Sequence, residues 1–151
     1  MNAKVLIVLI LGVIVMSCNK NSSGKQSNLS FVSVSSRTVN LNGTLAFNLN
    51  FSHPYSGTYT DTLGIKIHYK TCTIQPIDTV SFVLPVCSNT ANQTCKLEYD
   101  FTYGGGGTFA LGCSDGTNYK SDSAYFQFWL IDKNSVSSDT ISTPMIFLNP
   151  N

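Results

Sequence analysis

Five cysteines, at positions 18, 72, 87, 95 and 113, carry the most reactive side chains in this sequence. Cys18 stands directly behind an apolar run, and the others fall where turn signals and alternating apolar patterns dominate. Setting Cys18 aside leaves four, and an even number of thiols, if the chain is exported to an oxidising compartment, reads as disulfides. Cys87 closes one predicted strand and Cys95 opens the next, so a Cys87–Cys95 bridge would pin the connection SNTANQT. Cys72–Cys113 is the second expected pair. Free thiols are the competing reading. Zinc has less support, because no cysteines show the C-x₂-C spacing of a structural site and the chain has only two histidines.

The remaining chemistry-bearing residues give no reaction. His53 precedes Pro54 in a turn and His68 stands between Lys66 and Lys70, so both are expected to be solvated. A glycosidase needs two facing carboxyl groups, one of raised pKa. Glu98 and Asp100 share a strand face, but a polar one. The G-x-S-x-G spacing occurs once, at Gly112-Cys113-Ser114-Asp115-Gly116, but no helix is predicted after it, so the strand-to-helix turn of a nucleophile elbow is not expected there. A triad assembled from distant positions stays open, since triads are recognised by geometry. Residues 104–107 are glycines without a following Lys-Ser/Thr, which reads as a loop between strands and not a phosphate cradle. Asp115, Asn118 and Asp122 match no calcium loop. No metal, other cofactor or catalytic residue is expected. Tyr55, Tyr59, Tyr103, Tyr119 and Tyr125 either anchor a sugar or protein ligand or cover the ends of a core.

Lys4 followed by an apolar run over residues 5–16 and small Ser17 has the grammar of a secretory signal peptide. The run is shorter than the ~20 residues a spanning helix needs. Val15-Met16-Ser17-Cys18 resembles the lipobox of bacterial lipoproteins. That resemblance implies a signal peptide over residues 1–17 and a lipid-modified Cys18 as the mature N-terminus. It also implies attachment to the outer membrane through the lipid, on the periplasmic or the cell-surface side. Ordinary secretion is the alternative.

Residues 19–28, NKNSSGKQSN, contain no apolar side chain and cannot bury surface, so residues 18–28 are expected to form a lipidated tether. From residue 29 to 151 the dominant period is two. Leu45, Phe47, Leu49 and Phe51 form one apolar set; Leu63, Ile65, Ile67 and Tyr69 a second; Val80, Phe82, Leu84 and Val86 a third; Leu97, Tyr99, Phe101 and Tyr103 a fourth. Alternate strand residues face opposite sides of a sheet, so each set marks a half-buried strand. Residues 124–131, AYFQFWLI, are apolar on both faces apart from Gln127 and predict a central strand. Residues 29–34 and 141–148 complete the set, Pro144 placing the last at an edge or bulge. Phe109 and Leu111 suggest one more short strand. Asn42-Gly43, Gln75-Pro76 and Asp115-Gly116 are among the turns between them. The chain therefore predicts an all-β fold: an antiparallel two-sheet sandwich of seven or eight strands.

Residues 124–148 resemble the closing strand pair of immunoglobulin-like domains in Bacteroidota lipoproteins, in which an aromatic strand precedes a D-x-x-G-N-x-S-type turn. Asp132, Asn134 and Ser138 carry the likeness, and the Gly-Asn pair is missing. The resemblance implies an immunoglobulin-like topology and no catalytic residue. Asp61-Thr62-Leu63, Asp78-Thr79-Val80, Asp122-Ser123-Ala124 and Asp139-Thr140-Ile141 resemble the O-glycosylation acceptor of the same bacteria, which implies sugar on Thr62, Thr79, Ser123 and Thr140. Turn-ending Asp followed by strand-starting Thr yields the same triplets without sugar.

Charged residues are 11% of the chain and the formal net charge is +1. That is far below the ~25% charge of an average domain. Nothing here makes a nucleic-acid footprint. The expected role is a lipid-anchored, non-catalytic binding or structural module, its ligand a glycan or a protein. An envelope hydrolase or a protease inhibitor is the alternative.

Overall fold

A computed structural model describes residues 26–58, 60–72, 79–87, 90–104, 118 and 120–150. The described residues form nine strands and no helix: β1 Asn28–Val34, β2 Thr38–Asn40, β3 Thr44–Ser52, β4 Thr62–Tyr69, β5 Thr79–Val83, β6 Cys95–Thr102, β7 Asp122–Ile131, β8 Ile141–Ser142 and β9 Ile146–Asn149. They make two sheets. One has the order β1-β3-β6, and the other runs β2-β9-β7-β4-β5 with β8 also on β7.

The alternating sets become the inner faces. Leu45, Phe47 and Leu49 of β3 and Phe101 of β6 lie against Leu63 and Ile65 of β4 and Ala124, Phe126, Phe128 and Leu130 of β7, all at most 1% exposed. Phe47 bridges the layers, with ring centroids 4.6 Å from Phe126 and 5.7 Å from Phe128. Phe101 meets Phe126 edge-on at 4.9 Å. Burial of one such side chain contributes roughly 1.5–3 kcal/mol, and the interleaved rings fix how the two sheets face each other. As its sequence predicts, β7 is central: it pairs with β4, β8 and β9.

Several expectations change. Residues 26–28, placed in the tether by their polarity, belong to the fold: Ser27 is 2% exposed and Asn28 starts β1. Nine short strands replace seven or eight, because 38–40 pairs with β9 and 141–148 divides. The ladder between β2 and β9 is parallel, so the sheets are not wholly antiparallel. Of the third apolar set, Phe82 is 40% exposed, since β5 is the edge of its sheet with a neighbour only in β4, and Val86, 43% exposed, lies beyond the strand's end at Val83. In β1 the register slips between Phe31 and Ser33, leaving Val32 as the extra residue, 54% exposed. A bulge of this kind turns the following residues over, which is how Leu29, Phe31 and Val34 all pack on the core despite their odd and even spacing. The strand expected around Phe109 and Leu111 lies outside the described residues.

Pro144 produces the expected bulge. Gln127 pairs with Ser142 and Ala124 with Ile146, so the β8–β9 side spends one residue more than β7. Thr143 fills the gap in two ways. Its N–H donates to the Phe126 carbonyl at 2.9 Å, and its hydroxyl accepts the Phe126 N–H at 3.0 Å. Ser138 repeats the device upstream: its N–H donates to the Leu130 carbonyl at 2.8 Å and its hydroxyl accepts the Leu130 N–H at 2.8 Å. Both hydroxyls then donate to the carbonyl of the next residue, Asp139 or Pro144. Two side chains thus stand in for backbone carbonyls along β7, and its buried amides stay satisfied where the partner backbone swings away.

Candidate functional site

Three groupings of polar side chains qualify for inspection. The first closes one end of the sandwich, where the chain enters β1 and β4 and leaves β3 and β7. Ser27, His53, Asp61 and Asp132 are 2–5% exposed there. The Ser27 hydroxyl donates to Asp61 Oδ2 at 3.1 Å. Burial pushes the Asp61 carboxyl above its ordinary range; the Ser27 hydrogen bond and the nearby His53 draw it back, and Asp132 adds to the rise. Asp132 Oδ1 accepts the N–H groups of Asn134 and Val136, both at 2.8 Å, while its Oδ2 is buried without a hydrogen-bond partner among the described residues. Ser135 has φ of 62° in this turn, at the place of the glycine in the D-x-x-G-N pattern. His53 is not the solvated turn residue its sequence suggests. It keeps the inward phase of Leu45 to Phe51 for one step beyond β3, which carries it under the core's rim. Side chains this deep cannot touch a substrate without opening the end of the fold.

The second grouping surrounds Asp122 at the opposite end. Its Oδ1 accepts from the Thr71 N–H at 3.0 Å, the Thr71 hydroxyl at 2.8 Å and the Ser123 N–H at 2.7 Å, and its Oδ2 from the Cys72 N–H at 3.1 Å. A cleft of about 360 Å³ lies alongside, lined in part by Lys70, Asp122, Phe147 and Asn149. Four donors occupy the carboxylate, so it clasps the β4–β5 connection to β7 and has little capacity left for a substrate proton. Among the described residues no cluster of His, Cys, Asp and Glu is arranged to hold a metal ion.

The third is the outer face of the six-stranded sheet. Cross-strand pairing sets Gly64 beside Trp129, Lys66 beside Gln127 and His68 beside Tyr125. The Trp129 indole lies across Gly64: a Cβ there would fall 2.2 Å from Cε2 of the ring. His68 and Tyr125 stack with centroids 4.6 Å apart and planes 5° from parallel. His68 Nε2 is 2.6 Å from Gln127 Oε1, and Gln127 Nε2 donates to the Ser142 hydroxyl at 3.4 Å. His68 is therefore half-buried in a built array and not merely solvated, because its neighbour across the ladder is an aromatic ring. Phe147 extends the face and is 55% exposed. The outer face of the smaller sheet differs: Lys96, Glu98 and Asp100 are exposed there, as their polar phase predicts.

The other expected positions divide. The Cys87–Cys95 disulfide is present, with a Cα–Cα separation of 5.7 Å. Cys72 is also disulfide-bonded; Cys18 and Cys113 lie outside the described residues. Thr79 and Thr140 are exposed, Thr62 and Ser123 half-buried. Asp61 and Asp122, which precede two of these hydroxyls, have structural partners of their own. Tyr103 is fully buried, donating to the Lys120 carbonyl at 3.3 Å, and so covers the core. Tyr55 lies under the Lys133 ammonium, 5.1 Å from the ring centre. Tyr59, Tyr119, Asp78, Asp115 and residues 105–107 fall outside the described residues. Phase would have located the buried polar groups. Asp61 is in step with Leu63 and Ile65, and Asp122 and Asp132 with Phe126 and Phe128.

No protein-family model matches the chain, and no curated protein matches it. Solved structures do. The chain is similar to a β-glucosidase from Listeria innocua, in its complexes with gluconolactone and with glucose, at a TM-score of 0.53 and 9% identity. The match covers 83% of this chain and 16% of the β-glucosidase, so the chain spans a small part of that enzyme's length. A Pseudomonas fluorescens alkylpurine DNA glycosylase, AlkC, matches at a TM-score of 0.47 and 11% identity, over 84% of this chain and 31% of that one. The β-glucosidase likeness extends to the two-layer β fold alone.

Proposed function

We propose that the protein is a lipid-anchored module of the bacterial envelope, immunoglobulin-like in the arrangement of its two sheets, which binds a ligand and performs no catalysis. One observation carries the binding half. Among the described residues, the clustered carboxylates are either sealed under the end of the sandwich, as Asp61 and Asp132 are beside His53, or held by four donors, as Asp122 is. The outer face of the larger sheet instead presents rings and amides held in place by one another. The apolar run ending in Ser17-Cys18 supports the anchor, and the turn after β7 supports a Bacteroidota source. In this reading the lipid on Cys18 is the membrane partner, and Thr62, Thr79, Ser123 and Thr140 are the hydroxyls offered to a glycosyltransferase.

Fractionation of cells producing the native chain and Cys18→Ala tests the anchor. The native protein belongs in the membrane fraction and the variant should be released or remain unprocessed. A variant that is processed normally and still sediments with membranes refutes lipidation. Intact mass tests the sugar: a mass explained by polypeptide and lipid alone removes it. A screen of esterase, peptidase and glycosidase substrates should be blank, and turnover abolished by Asp61→Asn would favour the hydrolase instead.

A further inference from the structure

Trp129 is the chain's single tryptophan, and its indole takes the space over Gly64 that any other residue would fill with its own side chain. The ring is only partly buried. Register places Ser81 beside Gly64, so the row crossing the strands at this level is Ser81, Gly64, Trp129. The next row is Thr79, Lys66, Gln127, Ser142, in which every side chain can hydrogen-bond. Gln127 is oriented by His68 and Ser142, bonds that use one amide lone pair and one N–H and leave one of each.

We infer that this face is a glycan-binding site, with Trp129 as the platform on which one hexopyranose ring of a neutral oligosaccharide stacks and Gln127 as its principal hydrogen-bonding partner. The inference rests on the binding-module reading above and names the ligand class for it. A pyranose has an apolar face of C–H groups and a polar rim of hydroxyls. An aromatic ring receives the first, and an adjacent row of amide and hydroxyl side chains receives the second. The row runs across the strands, so successive sugar units would meet successive strands. Lys66 is the one charged residue in the two rows, too little charge to hold a polyanion, which favours a neutral chain. A protein partner needs about 800 Å² of surface with a desolvated apolar centre. The polar row separates Trp129 from the His68–Tyr125 stack, an arrangement that suits a sugar better.

Because there is one tryptophan, its emission reports the proposed contact directly. Purified full-length protein in detergent is titrated with cello-, xylo-, manno- and malto-hexaose, following fluorescence and, in parallel, heat by calorimetry. At least one sugar should shift the emission and saturate. Trp129→Ala should weaken the calorimetric affinity by about tenfold or more, as loss of a central aromatic anchor does. Gln127→Ala should weaken it less, and Tyr55→Ala at the end of the sandwich not at all. Trp129→Phe keeps an aromatic ring, so it should retain weakened binding even if the alanine variant fails to fold. Calorimetric binding without an emission change, or indifferent to both Trp129→Phe and Gln127→Ala, would place the ligand elsewhere and leave the binding module standing. Silence with every neutral sugar, or a response to a sulfated polysaccharide alone, overturns the assignment, whereas the Cys18→Ala fractionation decides the anchor independently.

Discussion

Replacing Thr143 by valine keeps the side-chain shape and removes one oxygen. In the native chain that oxygen accepts the Phe126 N–H at 3.0 Å, inside a residue that is 7% exposed. Phe126 is fully buried in the central strand, so no water replaces the lost acceptor. A buried donor left without a partner costs about 1–3 kcal/mol. Valine's slightly better fit to a strand returns a few tenths at most. The Thr143→Ser control keeps the oxygen and gives up one methyl group, worth about 0.8 kcal/mol. The expected order of stability is therefore native, then serine, then valine. Denaturant unfolding of the oxidised domain at neutral pH measures it, provided the m-value is unchanged. Ser138→Ala should cost a similar amount through the Leu130 N–H. The two effects should be nearly additive, since the sites share no partner. A valine variant as stable as the serine variant would show that the hydroxyls do not maintain the β7 ladder.

Other consequences are as direct. Replacing Cys87 and Cys95 together by serine opens a loop with a sequence separation of 8 and should lower stability by about 2–3 kcal/mol on the chain-entropy model, measured as a lower denaturation midpoint. Asp61→Asn tests the buried carboxyl. A folded-state pKa above the unfolded value means that the folded chain holds the proton more tightly, so this group's contribution is fully present below the unfolded pKa and is lost as pH rises through the folded one. The asparagine variant should therefore gain on the native protein at pH 7, and the gain should vanish as pH falls below the carboxylate range; a difference independent of pH would refute it. Gly64→Ala sets a Cβ 2.2 Å from Trp129 Cε2 and should cost about 1–3 kcal/mol by overpacking, with a shift in tryptophan emission in the folded state.

The period-two pattern determined most of what this chain becomes. It made the chain all-β, identified β7 as the central strand and chose the inward residues of β3, β4 and β7, because a strand has two faces and burial selects one. It also opened β6 at Cys95, although its partner Cys87 lies in the connection four residues beyond the end of β5 and not at a strand end. Local pattern says nothing about what sits across a ladder. The parallel partnership of β2 and β9 joins residues far apart in sequence, and no spacing records it. The bulge at Val32 hides within an ordinary alternation. His53, Asp61 and Asp132 carry the inward phase of their strands, but only the closing of the two sheets over their ends brings them together. The candidate binding face needed the fold most of all. Gly64 and Trp129 are far apart in the chain, and register alone lays the ring over the one position with no side chain to lift it away. Phase is a property of each strand and is written locally; adjacency is a property of the pairing, which forms only when the whole core closes.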